Sequence, residues 1–152
     1  MGNNPAIHPL QPIGRILSLM GRRFLNLLNE KLNYLDIERD YFALMLIEQG
    51  EGNLTQKDLA SQLETDKVSV VRIVDYLSAK GYVDRVESSV DRRKYCLTLT
   101  AKAKETLPGI KKSMQEITAT AFEGLTGSQQ REFMSTLGQI KQNLSKAKNI
   151  SL

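Results

Sequence analysis

Apolar residues recur every three to four positions from Ile13 onward, at Ile13, Ile16, Leu17, Met20, Phe24, Leu27, Leu28 and Leu32. This spacing predicts an amphipathic helix of about twenty residues, roughly 30 Å long. Ile37, Tyr41, Leu44 and Ile47 make a second stripe, with Asp36 placed to cap that helix and Gly50 and Gly52 to end it. Thr55-Gln56-Lys57-Asp58 has the start pattern in which a hydroxyl and a carboxylate satisfy orphan backbone donors. Leu59, Ala60 and Leu63 then form a short apolar stripe, and Glu64-Thr65-Asp66 supplies a turn and another cap. The next helix runs to Gly81. It buries Val70, Ile73, Val74 and Leu77 and leaves Lys67, Val68, Ser69, Val71, Arg72 and Asp75 facing outward.

Beyond Gly81 the period drops to two. Residues 82–87 and 94–100 read as two short strands joined by Ser88-Ser89-Val90-Asp91-Arg92-Arg93. Tyr95, Leu97 and Leu99 share one face of the second strand; Cys96, Thr98 and Thr100 share the other. Thr100 caps a long helix with apolar positions Leu107, Ile110, Met114, Ile117, Ala121 and Leu125, close to a heptad seam. Pro108-Gly109 is expected to kink or break it near Leu107. Thr126-Gly127-Ser128-Gln129 starts a final helix carrying Phe133, Leu137, Ile140 and Leu144.

Two short helices followed by a hairpin with arginines at its tip is the layout of a winged helix-turn-helix. One module then reaches the major groove with a helix and the neighbouring backbone or minor groove with the wing. The fold class expected is mainly α with a small β-hairpin wing and dimerisation helices at both ends. Residues 1–12 are a leader, 13–35 an N-terminal dimerisation helix, 36–100 the DNA-binding module and 101–152 C-terminal dimerisation helices. The long amphipathic ends carry apolar faces that need a partner, which points to a homodimer.

Composition narrows this reading. The chain has 152 residues, 41% hydrophobic and 25% charged, with a net charge of +4. From Thr55 to Lys102 nine basic residues stand against seven acidic ones, so affinity for DNA must come from where charges are placed. One cysteine (Cys96) and one histidine (His8) make neither an intramolecular disulfide nor a zinc cluster. No cofactor loop or catalytic signature appears, so no enzyme, metal or cofactor is expected. No apolar run approaches a bilayer span and no secretory start is visible, so a cytoplasmic protein with no membrane partner is expected.

The chain resembles the MarR family of bacterial transcriptional regulators. The resemblance rests on Leu54-Thr55-Gln56-Lys57-Asp58-Leu59-Ala60, on 70–77, on Lys80-Gly81-Tyr82-Val83 with Arg85, and on Asp91-Arg92-Arg93 followed by Leu97-Thr98-Leu99-Thr100. The one departure is Ala103 where the family usually has glycine, a change that suits a helix. The resemblance implies a homodimer with interlocking terminal helices on a pseudo-palindromic operator, acting as a repressor. It also implies a small-molecule effector pocket where the dimer helices meet the DNA module. Relatives that sense peroxide use a cysteine near the N-terminus, and Cys96 stands elsewhere.

Candidate contacts to double-stranded DNA follow. Thr55, Gln56 and Lys57 begin a helix and are expected at a phosphate. Lys67, Val68, Ser69, Val71 and Arg72 face the major groove, where outward valines suit thymine methyl groups better than water. Arg92, Arg93 and Lys94 lie on the wing, with Asp91 holding an arginine by a charge-assisted pair. In the family that arginine enters the minor groove, and the matching position is Arg93. Tyr34, Tyr41, Phe42 and Met45 are candidates for the effector pocket. The alternative reading is a winged helix used for protein–protein contact without specific DNA binding.

Overall fold

The computed structural model describes residues 7, 8 and 10–148, and the polar stretch Met1–Pro5 of the expected leader lies outside them. Its elements are α1 (Ile13–Lys31), α2 (Tyr41–Gln49), α3 (Gln56–Gln62), α4 (Lys67–Ala79), β1 (Val83–Glu87), β2 (Tyr95–Leu99), α5 (Ala101–Ala121) and α6 (Gly127–Lys148). The chain divides into two compact units, one ending at Ile117 and the other beginning at Thr118. No helix among the described residues is long and apolar enough to cross a membrane.

The first unit holds the core. Leu28, Leu32, Ile37, Leu44, Ile47, Leu59, Val70, Val74, Leu77, Leu97, Leu107 and Ile110 belong to one buried cluster. The stripe expected along α1 therefore has two fates. Leu28 and Leu32 enter this core, while Ile13, Leu17, Met20, Phe24 and Leu27 stay exposed. Their 4-3-4-3 spacing is that of a coiled-coil seam.

Asp36 does not cap α2. Its carboxylate accepts from the Tyr82 hydroxyl (2.7 Å) and from Lys102 Nζ (2.7 Å), which draws it toward the wing and α5. The helix begins after Asp40 instead, which takes a left-handed φ of 62° and makes no side-chain cap. Tyr41 is buried, with its hydroxyl 2.9 Å from the Ile37 carbonyl and 2.8 Å from Asn29 Oδ1. Burial pushes the Tyr41 phenol up to about 12.

Helix α4 ends where the chain must turn sharply into the wing. Gly81 adopts φ +77°, its N–H donates to the Ser78 carbonyl and the Tyr82 N–H donates to the Leu77 carbonyl, both at 2.9 Å. This pairing satisfies the last helical carbonyls and favours glycine, which carries no Cβ into the left-handed region. β1 and β2 then pair antiparallel, with Val83 opposite Leu99 and Glu87 opposite Tyr95.

Two expectations for the C-terminal half need correction. α5 is not broken at Pro108, which lies on the exposed side of a helix that continues to Ala121. The Leu107, Ile110 and Ile117 positions are no exposed seam either, because all three are buried. In the second unit, Thr126 and Gln129 form the expected box: Thr126 N–H donates to Gln129 Oε1 (2.8 Å) and Gln129 N–H to Thr126 Oγ1 (3.2 Å). Phe122 and Phe133 meet edge to face at 5.9 Å. Among the described residues of α6 whose burial is known, none is buried, and Phe133, Met134 and Leu144 are exposed.

Three aspartates make the fold acid-sensitive. Hydrogen bonds from Lys102 and then Tyr82 hold Asp36 below the usual range, the Thr55 hydroxyl does so for Asp58, and the Ser69 hydroxyl for Asp66. Asp40 works in the opposite direction, raised by burial. A depressed folded value means stability that is present above the unfolded value of about 3.8 and is lost as pH falls below it. Stability should thus fall on acidification from about pH 4 downward. Asp66→Asn keeps a capping acceptor but cannot titrate, so denaturant titrations at several pH values should give it a shallower acid limb. An acid limb as steep as that of the native chain would contradict this assignment.

Candidate nucleic-acid interface

The surface begins with two capped helices. At α3 the Asp58 N–H donates to Thr55 Oγ1 (3.2 Å) and the Thr55 N–H to Asp58 Oδ2 (3.0 Å). The Thr55 hydroxyl also donates to Asp58 Oδ2 at 2.6 Å, so its proton is committed inside the box. At α4 the Asp66 carboxylate accepts from the N–H groups of Val68 and Ser69, both at 2.8 Å, and from Ser69 Oγ at 2.6 Å. Ser69 therefore keeps lone pairs for an incoming donor but not its proton.

The turn between these helices places Glu64 at φ 53°. Leu59, Val70, Val74 and Leu77 are buried and lock the two helices together. What remains outside is the face expected from the periodicity. Lys67 and Arg72 are exposed, Val68 is 60% exposed, and Ser69 and Val71 are half-buried.

The wing is built from its backbone inward. Ser88 N–H donates to the Lys94 carbonyl (2.8 Å) and Lys94 N–H to the Asp91 carbonyl (2.9 Å), which closes the tip. Asp91 Oδ1 then accepts from Arg93 N–H at 3.1 Å and faces Arg93 Nε at 3.4 Å. The Arg93 side chain is 92% exposed, so the aspartate orients the guanidinium without covering it. Arg92 and Lys94 are exposed as well.

β2 departs from simple alternation. Tyr95, on the same face as Leu97 by alternation, is 60% exposed, whereas Cys96, on the opposite face, is 7% exposed. The strand is also paired at its other edge. Leu97 N–H donates to the Leu54 carbonyl (2.8 Å) and Thr55 bridges to Cys96, so β2 has neighbours on both edges. Tyr95 lies beyond that cover, beside an open groove of about 660 Å³ lined by Thr55, Gln56, Lys57, Asp58, Arg85, Lys94 and Tyr95.

Arg85 is the residue that sequence reasoning passed over. Its Nη2 lies 2.5 Å from Asp75 Oδ1 and 3.3 Å from Gln56 Oε1, which joins β1 to α4 and α3. The signal was its place in the Lys-Gly-x-Val-x-Arg run, read as a mark of resemblance rather than as a contact.

The charges sort themselves accordingly. Asp58 and Asp66 serve as caps, Asp75 pairs with Arg85 and Asp91 with Arg93. Among the described residues Lys57, Lys67, Arg72, Arg92 and Lys94 make no ion pair. A module with a small charge excess thus presents its cations outward and spends much of its acid internally. No group of three His, Cys, Asp or Glu among the described residues is placed to hold a metal ion.

The four pocket candidates differ in burial. Tyr41 is core, Met45 is half-buried, and Tyr34 and Phe42 are exposed. Neither the groove above nor a second one of about 490 Å³ beside Ile47, Glu48 and Lys104 includes any of them.

Comparison with known proteins places this geometry among relatives. The MarR family model matches residues 36–94. The chain is 30% identical over 89 residues to the multiple antibiotic resistance protein MarR of Escherichia coli (strain K12), covering 59% of this chain and 62% of the relative. The curated relatives it matches first are spanned over only 44% to 62% of their own lengths. Among solved structures it is similar to a MarR transcriptional regulator from Methanosarcina mazei Go1, at 29% identity and a TM-score of 0.77 over 89% of this chain and 97% of that one. A mutant MarR from Escherichia coli complexed with operator DNA shares the fold, at 24% identity and a TM-score of 0.75 over 85% and 93%.

The capping and interface roles separate by stability. Thr55→Ala should lower unfolding free energy by about 1 kcal/mol, because the Asp58 N–H loses its hydroxyl acceptor. Arg72→Ala should change it by less than about 0.5 kcal/mol, since the side chain is exposed and unpaired. Urea denaturation of the two variants checks this, and a large loss for Arg72→Ala would show that this residue holds the fold.

Proposed function

We propose, from the premise that this chain belongs to the MarR family of transcriptional regulators, that it is a sequence-specific DNA-binding regulator. Its cognate site is a pseudo-palindromic operator, bound by a homodimer acting as a repressor. The observation that carries the reading is the set of cations that make no ion pair among the described residues, at the start of α3, at the start of α4 and on the wing. Each element then has its own task. Arg72 and Lys67 donate to guanine edges, and Val68 meets a thymine methyl group. Ser69, with its proton given to Asp66, accepts from a base amino group. Arg93, extended by Asp91, enters the minor groove and reads its width and potential. Gln56, Lys57, Arg92 and Lys94 hold the phosphate backbone, while Thr55 is chiefly a cap.

The homodimer follows from the uncovered apolar residues. Ile13, Leu17, Met20, Phe24 and Leu27 of α1 are partly exposed at coiled-coil spacing, and Phe133 and Leu144 of α6 are exposed too. Burying what remains of each is worth on the order of 1 kcal/mol, enough in sum to hold two chains together. A small-molecule effector, with Tyr34, Tyr41, Phe42 and Met45 near its site, completes the reading. Such a pocket would form only where a second chain covers Tyr34 and Phe42.

The two readers should fail differently. Arg72→Ala should cost roughly 1–3 kcal/mol per half-site and relax preference at one operator position. Arg93→Ala should weaken binding and erase preference for A·T-rich flanks while the central motif stays unchanged. Titration against duplexes with A·T or G·C flanks at several salt concentrations decides between them. An Arg93→Ala protein with native affinity and native flank preference would remove the wing from the interface. Absence of any salt-dependent duplex binding would favour a protein-contact module instead.

Sedimentation tests the assembly independently. The native chain should be a dimer at micromolar concentration, and Phe24→Asp should shift it toward monomer while the unit ending at Ile117 stays folded. A native chain that sediments as a stable monomer would sink the homodimer.

A further inference from the structure

The DNA-facing side of α4 contains a puzzle. Asp75 is exposed on the same side as Arg72, three residues earlier, where a carboxylate repels phosphate and competes for the arginine. Arg72 nonetheless makes no ion pair among the described residues, because Asp75 is taken by Arg85 at 2.5 Å. The same guanidinium reaches Gln56 Oε1 at 3.3 Å. One side chain on β1 thus touches the two helices of the helix-turn-helix from the base of the wing. Both partners of the ion pair are partly exposed, so its contribution to stability is small. Its effect is geometric: it adds a side-chain tie among α3, α4 and β1 to the buried packing and the Leu54–Leu97 backbone bond that already seat the wing.

We propose that Arg85 is a positioning residue for DNA recognition, a clamp that sets the wing against the recognition helix and keeps Asp75 away from Arg72. This rests on the DNA-binding reading above and adds a residue that does not itself contact DNA. With the clamp closed, Arg72 and Arg93 are held at a fixed separation, and both grooves are engaged at once. With it open, each reader binds at the expense of the other.

The sign of one substitution separates a clamp from an ordinary charge. If Arg85 positions, removing its partner weakens binding; if Asp75 merely repels phosphate or masks a phosphate-binding arginine, removing it strengthens binding. The experiment titrates the full-length native chain, Asp75→Ala, Arg85→Gln, Arg85→Lys and the double variant Asp75→Ala/Arg85→Gln. The probes are duplexes selected by the native chain, with A·T or G·C flanks, at several salt concentrations. Melting curves confirm that each variant is folded.

The clamp predicts that Asp75→Ala and Arg85→Gln each weaken binding by about 5- to 30-fold and lose flank preference with little change in salt slope. The double variant is no weaker than the weaker single, and Arg85→Lys recovers part of the loss. Tighter binding by Asp75→Ala overturns the proposal. So does a uniform loss in Arg85→Gln with a salt slope lower by about one, the signature of a lost phosphate contact. A native chain that binds no duplex would overturn the DNA-binding reading and the clamp together, whereas the first two outcomes leave that reading standing.

Discussion

The wing is held to the helices by backbone, and the rest of the recognition surface depends on that junction. The Leu97 N–H donates to the Leu54 carbonyl at 2.8 Å, and Thr55 bridges to Cys96 one residue away. Leu54, Cys96 and Leu97 are all buried there, so the bond is made away from competing water. The segment that pairs with β2 is also the segment that starts α3. The position of the wing and the entry of α3 are therefore tied to one short pairing. Side chains refine it: Thr55 and Asp58 lock the helix start, and Arg85 bridges to Asp75 and Gln56.

Much of this was legible in the sequence because it is local. Thr55 with Asp58, Asp66 before α4 and Thr126 with Gln129 are bonds within three residues, and each is made as the residue types require. The outward set on α4 follows from period alone, as does α1. What could not be read is long-range. Asp36 has the chemistry of a cap, but Tyr82 and Lys102, far away in sequence, compete for it and win. Alternation along β2 groups Tyr95 with Leu97, yet Tyr95 is exposed and Cys96 buried, which the local spacing does not show. Arg85 looks like any solvated strand residue until the fold brings Asp75 and Gln56 to it. The spacing along α5 reads equally as a seam or as core, and only packing made it core.

The apolar residues divide in the same way. In the unit ending at Ile117 the positions that α1 spends on the core, Leu28 and Leu32, differ from those it leaves exposed. One apolar stripe therefore has two fates along its length, and its N-terminal part, at coiled-coil spacing, is left uncovered by the core.

The central claim is that two such modules read one duplex with a helix and a wing each. Selection of bound sites from a random duplex pool by the full-length chain tests it most directly. The account predicts a recovered motif with two inverted half-sites whose centres lie about one helical turn apart, roughly 10 base pairs, flanked by A·T-rich steps. A pool that shows no enrichment, or a single half-site without symmetry or flank preference, would contradict it.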